Sequence, residues 1–226
     1  MKLLLLGHGK TGALVAEIAR QRGHQVEILR AADNPHASGL TKQRLLPNDV
    51  VIDFTTPQAT LENIKACVSA RKNMVVGTTG WYGELARVQS MVEEAGTGFL
   101  YAANFSVGVN LFFEAARTVA SALGHGYAGQ IFERHHVHKK DAPSGTALAL
   151  QRILREAAAT ELEITSFREG DVVGMHELVL ASAADTIYLC HDAKSRHGFA
   201  EGAVRAAEWL AGKRGFFDFK NTWRDL

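Results

Sequence analysis

The stretch KLLLLGHGKTGALVAEIARQRGHQVEILR, residues 2–30, contains the clearest indication of the fold. It contains a fully apolar run, a glycine turn, a segment with helical periodicity and a second apolar run. An apolar run without polar alternation is typical of a strand buried on both faces of a parallel sheet. The sequence therefore predicts strands at Leu3–Leu6 and Val26–Leu29, joined by a glycine turn and a helix, as in the first unit of a doubly wound α/β fold.

The glycine turn matches the dinucleotide-binding pattern G-x-G-x-x-G. We expect its six residues to contact a cofactor: Gly7, His8, Gly9, Lys10, Thr11 and Gly12. The first glycine would form the tight turn, the second would let a pyrophosphate approach the backbone, and the third would let the helix pack on the strand. The free N–H groups of the helix would then face the phosphates. A glycine turn needed only for packing is the alternative interpretation.

Two further apolar runs, Val50–Phe54 and Met74–Val76, end in the threonine-rich turns DFTTP and VVGTTGW. The carboxyl ends of parallel strands form the ligand crevice of such a sheet. We interpret the two turns as a wall for ribose and nicotinamide, against the alternative of ordinary turn chemistry. Helices are predicted around Leu61–Ala70 and Glu84–Ala95.

After Asn110 the pattern changes to long helical segments and shorter, alternating strands. We expect helices at Leu111–Leu123 and Thr146–Ala158 and a strand at Gln130–Arg134. Alternating strands are typical of a more antiparallel sheet. The predicted fold is therefore a Rossmann-type α/β domain, residues 1–105 completed by the C-terminal segment 197–226, plus a smaller α+β substrate-binding and oligomerisation domain with a mixed sheet, residues 106–196.

The composition excludes several classes of protein. The 226 residues are 46% hydrophobic with a net charge of +1 and interspersed charges, which gives no support for binding to nucleic acid or a membrane surface. No segment approaches the ~20 apolar residues of a membrane span. The two cysteines imply no disulfide framework, so we expect a cytoplasmic protein.

The stretch HHVHKKDAPSGTALAL, residues 135–150, contains the candidate catalytic and anion-binding residues. In an extended chain His135 and Lys139 would share one face, and His136 and His138 the other. We expect no metal there, because the sequence offers no third ligand with suitable spacing and the lysines would repel a cation.

The same stretch contains a helix-entry signal, DAPSGT, in which Ser or Thr caps the helix. The free N–H groups of Gly145 and Thr146 would bind a carboxylate, with Lys139 as the positive charge. A histidine beside this anion clamp is a natural general acid.

The signature ERHHVHKKDAPSGTALAL resembles that of the 4-hydroxy-tetrahydrodipicolinate reductase (dihydrodipicolinate reductase) family, E-x-x-H-x-x-K-x-D-x-P-S-G-T-A. The segments DFTTP, VVGTTGW, ANFSVGVN and GDVVGMHELVL resemble other parts of the family in the same order, over essentially the full chain. Membership implies NAD(P)H-dependent reduction of a cyclic dicarboxylate in lysine and diaminopimelate biosynthesis. It also implies a hinge that closes the substrate domain over the cofactor, and a homotetramer.

The resemblance also implies individual roles. His135 matches the proton donor and Lys139 the second catalytic residue, while His136 and the Gly145–Thr146 backbone match contacts with the substrate carboxylate. Besides the glycine turn, the implied cofactor contacts are Gly77, Thr78, Thr79, Ala102, Ala103, Asn104 and Phe105. Two departures from the family are a glycine turn one residue shorter than in many relatives and a short link after the PSGT helix.

The choice between NADH and NADPH depends on the end of the second strand. Arg30 falls near the ribose edge, where a guanidinium would pair with a 2′-phosphate, while Asp33 could instead bind the ribose hydroxyls. Arg30 pointing into solvent is a third interpretation. We expect use of both cofactors with a lean to NADPH. A related amino-acid or imine dehydrogenase and a non-catalytic NAD(P) sensor are the alternative functions.

Overall fold

The computed structural model describes all 226 residues, which form two compact units. The first unit comprises Met1–Val107 and His197–Leu226, and the second comprises Gly108–Arg196. No helix in either unit combines the length and apolarity that a membrane crossing needs.

The first unit contains a six-stranded sheet in which every pair of neighbouring strands is parallel. Its strands are β1 Lys2–Leu6, β2 Gln25–Leu29, β3 Val50–Asp53, β4 Asn73–Val76, β5 Gly98–Tyr101 and β10 Gly215–Asp218. They lie in the order β10-β5-β4-β3-β1-β2, so the strand order reverses between β1 and β3. This topology confirms the Rossmann-type fold predicted from the glycine turn. Ligands of such sheets bind at the carboxyl ends of the strands beside the reversal.

Helices cover both faces of this sheet, which explains the unbroken apolar run of β1. The helices are α1 Lys10–Gln21, α2 Lys42–Leu45, α3 Pro57–Ser69, α4 Leu85–Ala95, α7 His197–Leu210 and α8 Phe219–Thr222. Leu3 and Leu5 pack with α1 and α7, whereas Leu4 and Leu6 pack with α3 and α4. Successive side chains of a strand point to opposite faces, so a strand covered on both sides has no polar position to offer.

The second unit contains a four-stranded mixed sheet. Its strands are β6 Ala128–His135, β7 Ile164–Arg168, β8 Met175–Ala181 and β9 Thr186–Asp192, and its helices are α5 Val107–Val119 and α6 Gly145–Ala158. β6 is parallel to β7 and antiparallel to β8, and β8 is antiparallel to β9. The predicted mixed sheet is confirmed. Alternate residues of its strands, such as Ile131 and Leu178, form one core with α5 and α6 on the face that we call the inner face.

One local prediction is wrong. The extended conformation expected through Lys139 ends at His135, and the chain then turns, with the Lys139 N–H donating to the His136 carbonyl at 3.1 Å. The alternation of faces beyond His135 is therefore lost. The predicted helix at Leu111–Leu123 also begins earlier, at Val107, and its final turns are a 3₁₀ helix, Ala120–His125.

Candidate active site

The inner face of the second unit changes from apolar to charged at one end of its sheet. The β6–β8 register places Glu133 opposite His176, and the β6–β7 register places His135 opposite Arg168. Because these positions continue the alternation of Ile131, their side chains point toward the helices. Together with Ser144 at the start of α6 they form a set that we call the buried cluster.

Glu133 connects the members of the buried cluster. Its carboxylate is completely buried, and its Oε1 atom accepts hydrogen bonds from the Ser144 N–H at 3.1 Å and from Arg168 Nη2 at 2.9 Å. Its Oε2 atom lies 3.1 Å from His135 Nδ1 and 3.8 Å from His176 Nε2. The 3.1 Å separation is a hydrogen-bond distance, but the pair is not aligned as a hydrogen bond, since both Oε2 and Nδ1 are without such a partner.

The surroundings set the charges in the buried cluster. Burial alone would raise the pKa of Glu133, but hydrogen bonds from Ser144, Ser166 and Arg168 and the nearby His135 outweigh it and lower the pKa to about 2. Burial lowers the pKa of His135, and the carboxylate of Glu133 opposes this effect. Burial, with His135 next to it, lowers the pKa of His176 to about 4. Glu133 is therefore an anion and His176 is neutral near pH 7.

Glu133, His135 and His176 bring three potential metal ligands within 4.8 Å of one another. Arg168 already supplies a positive charge to Glu133, 2.9 Å from its Oε1 atom. Ser144 Oγ lies 3.0 Å from Nε2 of His176 and contacts one of the two nitrogens that this residue could offer to a metal. We interpret the set as a charge and hydrogen-bond network, because a divalent cation there would meet a guanidinium.

The residues expected to form the anion clamp lie at the start of α6, next to the buried cluster. Ser144 caps α6, since its Oγ accepts from the Ala147 N–H at 3.2 Å. Gly145 and Thr146 are the first two residues of the helix, where N–H groups have no acceptor inside the helix. Such groups, together with the helix dipole, favour a bound anion.

Lys139 is not free in this structure. Its Nζ atom lies 2.8 Å from Asp141 Oδ1, and this contact lowers the pKa of Asp141. Arg168 Nη2 donates to the Asp141 carbonyl at 2.6 Å and so ties the loop to the buried cluster. A substrate carboxylate would have to replace Asp141 as the partner of Lys139. His136 is half-buried and follows His135 in the turn.

In the first unit, a cavity of about 320 Å³ opens at the carboxyl ends of the strands. Its lining consists of Gly9, Lys10, Thr11, Gly12, Phe54, Thr55, Pro57, Gly77, Thr78 and Thr79. A Cβ atom on Gly9 would have no atom within 4 Å, whereas one on Gly12 would lie 2.8 Å from the Gly7 carbonyl oxygen. Gly9 thus leaves space for a ligand at the start of α1, and Gly12 lets the helix pack closely. These features fit a dinucleotide pyrophosphate.

A buried carboxylate holds the threonine-rich turns of this cavity together. Asp53, at the end of β3, is completely buried. Its Oδ1 atom accepts from the Thr55 N–H at 2.9 Å and from the hydroxyl groups of Thr55, Thr60 and Thr78 at 2.7, 3.2 and 2.8 Å. Its Oδ2 atom accepts from Asn63 Nδ2 at 2.8 Å. Asp53 therefore fixes the two turns relative to each other.

Other residues predicted to bind the cofactor lie outside the cavity lining. Gly7 has φ +89° and packs under Phe54, where a Cβ atom would lie 2.3 Å from the carbonyl oxygen. His8 and Arg30 are exposed, and Arg30 directly follows β2. Phe105 is buried, with its ring centroid 4.9 Å from that of Phe219, so only its backbone could contact a ligand.

The remaining predicted cofactor contacts, residues 102–104, differ in their exposure to solvent. Ala102 is buried, Ala103 is exposed and Asn104 is half-buried, with its Oδ1 accepting from the Ser106 N–H at 2.8 Å.

Four residues of these sites were not predicted from the sequence: Glu133, Arg168, His176 and Asp53. Glu133 stands two residues before His135, and this spacing on a strand was a usable signal. Arg168 and His176 join the buried cluster only through the strand register.

Comparisons with known proteins identify the family of the chain. The family model described as dihydrodipicolinate reductase, N-terminus, matches residues 1–105, and that of the C-terminus matches residues 108–222. The chain is 38% identical over 240 residues to a 4-hydroxy-tetrahydrodipicolinate reductase of Christiangramia forsetii, covering 100% of this chain and 99% of that protein. It is 39% identical over 198 residues to the protein of the same name from Neisseria meningitidis, covering 79% and 73%.

Among solved structures, the dipicolinate-bound dihydrodipicolinate reductase from Paenisporosarcina sp. TG-14 aligns with a TM-score of 0.80 over 98% of both chains. At 21% identity this alignment shows a common fold. With both family models matched along nearly the whole sequence, the chain belongs to the dihydrodipicolinate reductase family.

Proposed function

We propose that this protein reduces 4-hydroxy-tetrahydrodipicolinate to tetrahydrodipicolinate with NAD(P)H, in the diaminopimelate pathway to lysine. The reaction consumes one NAD(P)H and one proton and yields NAD(P)⁺ and water. The observation that carries the proposal is the anion clamp at Gly145 and Thr146 beside the buried cluster that holds His135. A cyclic dicarboxylate needs this combination of an anion site and a proton donor.

Each part of the second unit has a task in this reaction. A nicotinamide cofactor, when bound, would supply the hydride. The N–H groups of Gly145 and Thr146 hold one substrate carboxylate, and Lys139 adds its positive charge after leaving Asp141. His136, which follows His135 in the turn, is assigned a further contact with the substrate carboxylate. His135 gives a proton to the carbanion-like enamine that hydride addition creates, as a general acid does.

A variant of His135 tests the proposal. We expect His135→Gln to lower kcat about 10²–10⁴-fold, the usual contribution of a general acid, without weakening NAD(P)H binding. His138→Gln is the matched control, because His138 is an exposed residue of the adjacent turn and should keep its kcat. The measurement is steady-state NAD(P)H oxidation with freshly generated substrate. A near-normal kcat in His135→Gln would remove this residue from the mechanism.

The proposal extends to the preference between cofactors. Arg30 is exposed immediately after β2, where the adenosine ribose of a dinucleotide lies in folds of this class. A guanidinium there favours a 2′-phosphate, whereas Asp33 in the following 3₁₀ turn can accept from ribose hydroxyls. Both cofactors are therefore used, with a modest lean to NADPH.

We further propose a homotetramer in the cytoplasm, as the family resemblance implies. The face of the second sheet opposite the inner face carries apolar side chains. Phe132 and Phe167 stack with ring centroids 6.5 Å apart, and Tyr188 is 68% exposed. Apolar surface of this kind supports subunit contact. Light scattering coupled to size-exclusion chromatography tests the tetramer, and a monomeric mass would refute it.

A further inference from the structure

The two ring nitrogens of His135 have different surroundings. Nδ1 is buried and lies 3.1 Å from Glu133 Oε2. Nε2 faces Gly174, where an added Cβ atom would lie 3.0 Å from Nε2 and 3.3 Å from Cδ2. One nitrogen therefore meets a carboxylate and the other meets a position without a side chain.

We infer that Glu133 and Gly174 are positioning residues that make Nε2 the proton-donating nitrogen of His135. Glu133 holds the proton on Nδ1, and Gly174 keeps the Nε2 side open. The inference deepens the proposed function and rests on its assignment of His135 as the proton donor.

A buried carboxylate next to Nδ1 stabilises a proton on that nitrogen, because Glu133 remains an anion across the neutral range. The imidazolium then carries protons on both nitrogens, and it loses the one on Nε2 to the substrate carbon. The ring is left as the neutral tautomer protonated on Nδ1, and a solvent proton restores Nε2–H. Catalytic hydrogen bonds often become fully aligned only when the substrate binds, and we expect this of the Glu133–His135 contact.

The nearby ring of His135 leaves no room for a side chain at residue 174, whereas the backbone conformation of Gly174 would allow one. Its φ is outside the left-handed region, so alanine could adopt the same conformation. Its carbonyl accepts from the Ala193 N–H at 3.0 Å, which fixes the backbone at this point. A methyl group at residue 174 would therefore press on the His135 ring instead of moving away from it.

Glu133 also connects the proton donor, His135, with the start of α6, where the anion clamp lies. Its Oε1 atom accepts from the Ser144 N–H, directly before the clamp residues, while Oε2 faces His135. The other titratable or charged groups near His135 come from every surrounding element: Arg168 of β7, His176 of β8, and Lys139 and Asp141 of the loop. Among all of these, Glu133 is the carboxylate that lies at the ring nitrogen.

Nitrogen-15 NMR of the full protein labelled at histidine tests the inference without turnover. We expect neutral His135 to carry its proton on Nδ1. In Glu133→Gln the titration of His135 should move to lower pH, because the anion that favours the imidazolium is gone, and kcat near neutral pH should fall about tenfold or more. Glu169→Gln is the matched control, since this exposed carboxylate pairs with Arg134 and should leave the tautomer and kcat unchanged.

Gly174→Ala is the second variant, and it does not alter any charge. We expect kcat to fall about tenfold or more while NAD(P)H binding is retained. A proton on Nε2 in neutral wild-type His135, an unshifted titration in Glu133→Gln or a normal kcat in folded Gly174→Ala would each overturn the inference. A near-normal kcat in His135→Gln would instead contradict the proposed function, so the two kinds of failure can be distinguished.

Discussion

Acidification should destabilise the second unit through His176. This histidine is 4% exposed on the inner face, with Ser144 Oγ 3.0 Å from its Nε2 atom. In the unfolded chain it takes up a proton near its ordinary pKa of about 6.5, whereas in the folded protein burial and the neighbouring His135 lower its pKa to about 4. Between these values protons bind the unfolded chain preferentially, so stability is lost as the pH falls.

The magnitude follows from the size of this shift. One pKa unit corresponds to about 1.4 kcal/mol, so moving from pH 7.5 to pH 4.5 should reduce the free energy of unfolding of the second unit by about 2–3 kcal/mol. The lowered pKa of His135 acts in the same direction. Glu133 adds to the loss only as the pH falls from about 4.5 toward its folded pKa of about 2.

Native-state hydrogen exchange is the suitable assay, because all three tryptophans, Trp81, Trp209 and Trp223, lie in the first unit. Opening free energies of peptides from β6 and β8, corrected for intrinsic exchange, should fall by this amount at pH 4.5. In His176→Gln most of the pH dependence should disappear, while His125→Gln, at an exposed position of the same unit, should keep it. Equal pH dependence in wild type and His176→Gln would show that His176 is not the source of the destabilisation by acid.

Three further predictions concern ligand binding. Lys139→Ala should raise KM and lower kcat, because the charge facing a substrate carboxylate is lost. Dipicolinate should compete with the substrate for the anion clamp, and competition with NADPH instead would be inconsistent with the clamp. Arg30→Ala should weaken NADPH binding by about 1–3 kcal/mol and leave NADH nearly unchanged, as measured by fluorescence titration, and equal losses would exclude a contact with the 2′-phosphate. Gly9→Ala should fold normally but weaken the binding of both cofactors, whereas Gly12→Ala should in addition lower the melting temperature. Equal shifts of the melting temperature in the two variants would contradict the close packing at Gly12.

The first unit was predictable because its signals are local. An apolar strand, a glycine turn and a helix are adjacent in sequence, and each glycine has a steric role at its own position. The start of α6 was predictable for the same reason, since Ser144 and the helix it caps are neighbours in the chain.

The buried cluster was not predictable in the same way. Arg168 lies 35 residues from Glu133, and the parallel pairing of β6 with β7 brings them together. The turn after His135 was missed because the alternation argument assumed an extended chain, whereas the backbone closes a hydrogen bond between His136 and Lys139. The pairing of Lys139 with Asp141 likewise depends on this loop geometry.

The most direct test of the proposed activity is oxidation of NAD(P)H by the purified full chain in the presence of freshly generated 4-hydroxy-tetrahydrodipicolinate. The loss of nicotinamide absorbance is followed with pyruvate and oxaloacetate as control substrates, and the product is identified by mass spectrometry. We expect one tetrahydrodipicolinate to form for each NAD(P)H oxidised, and no oxidation with either control. Binding of NAD(P)H without oxidation, or equal oxidation with the control substrates, would contradict the proposed activity.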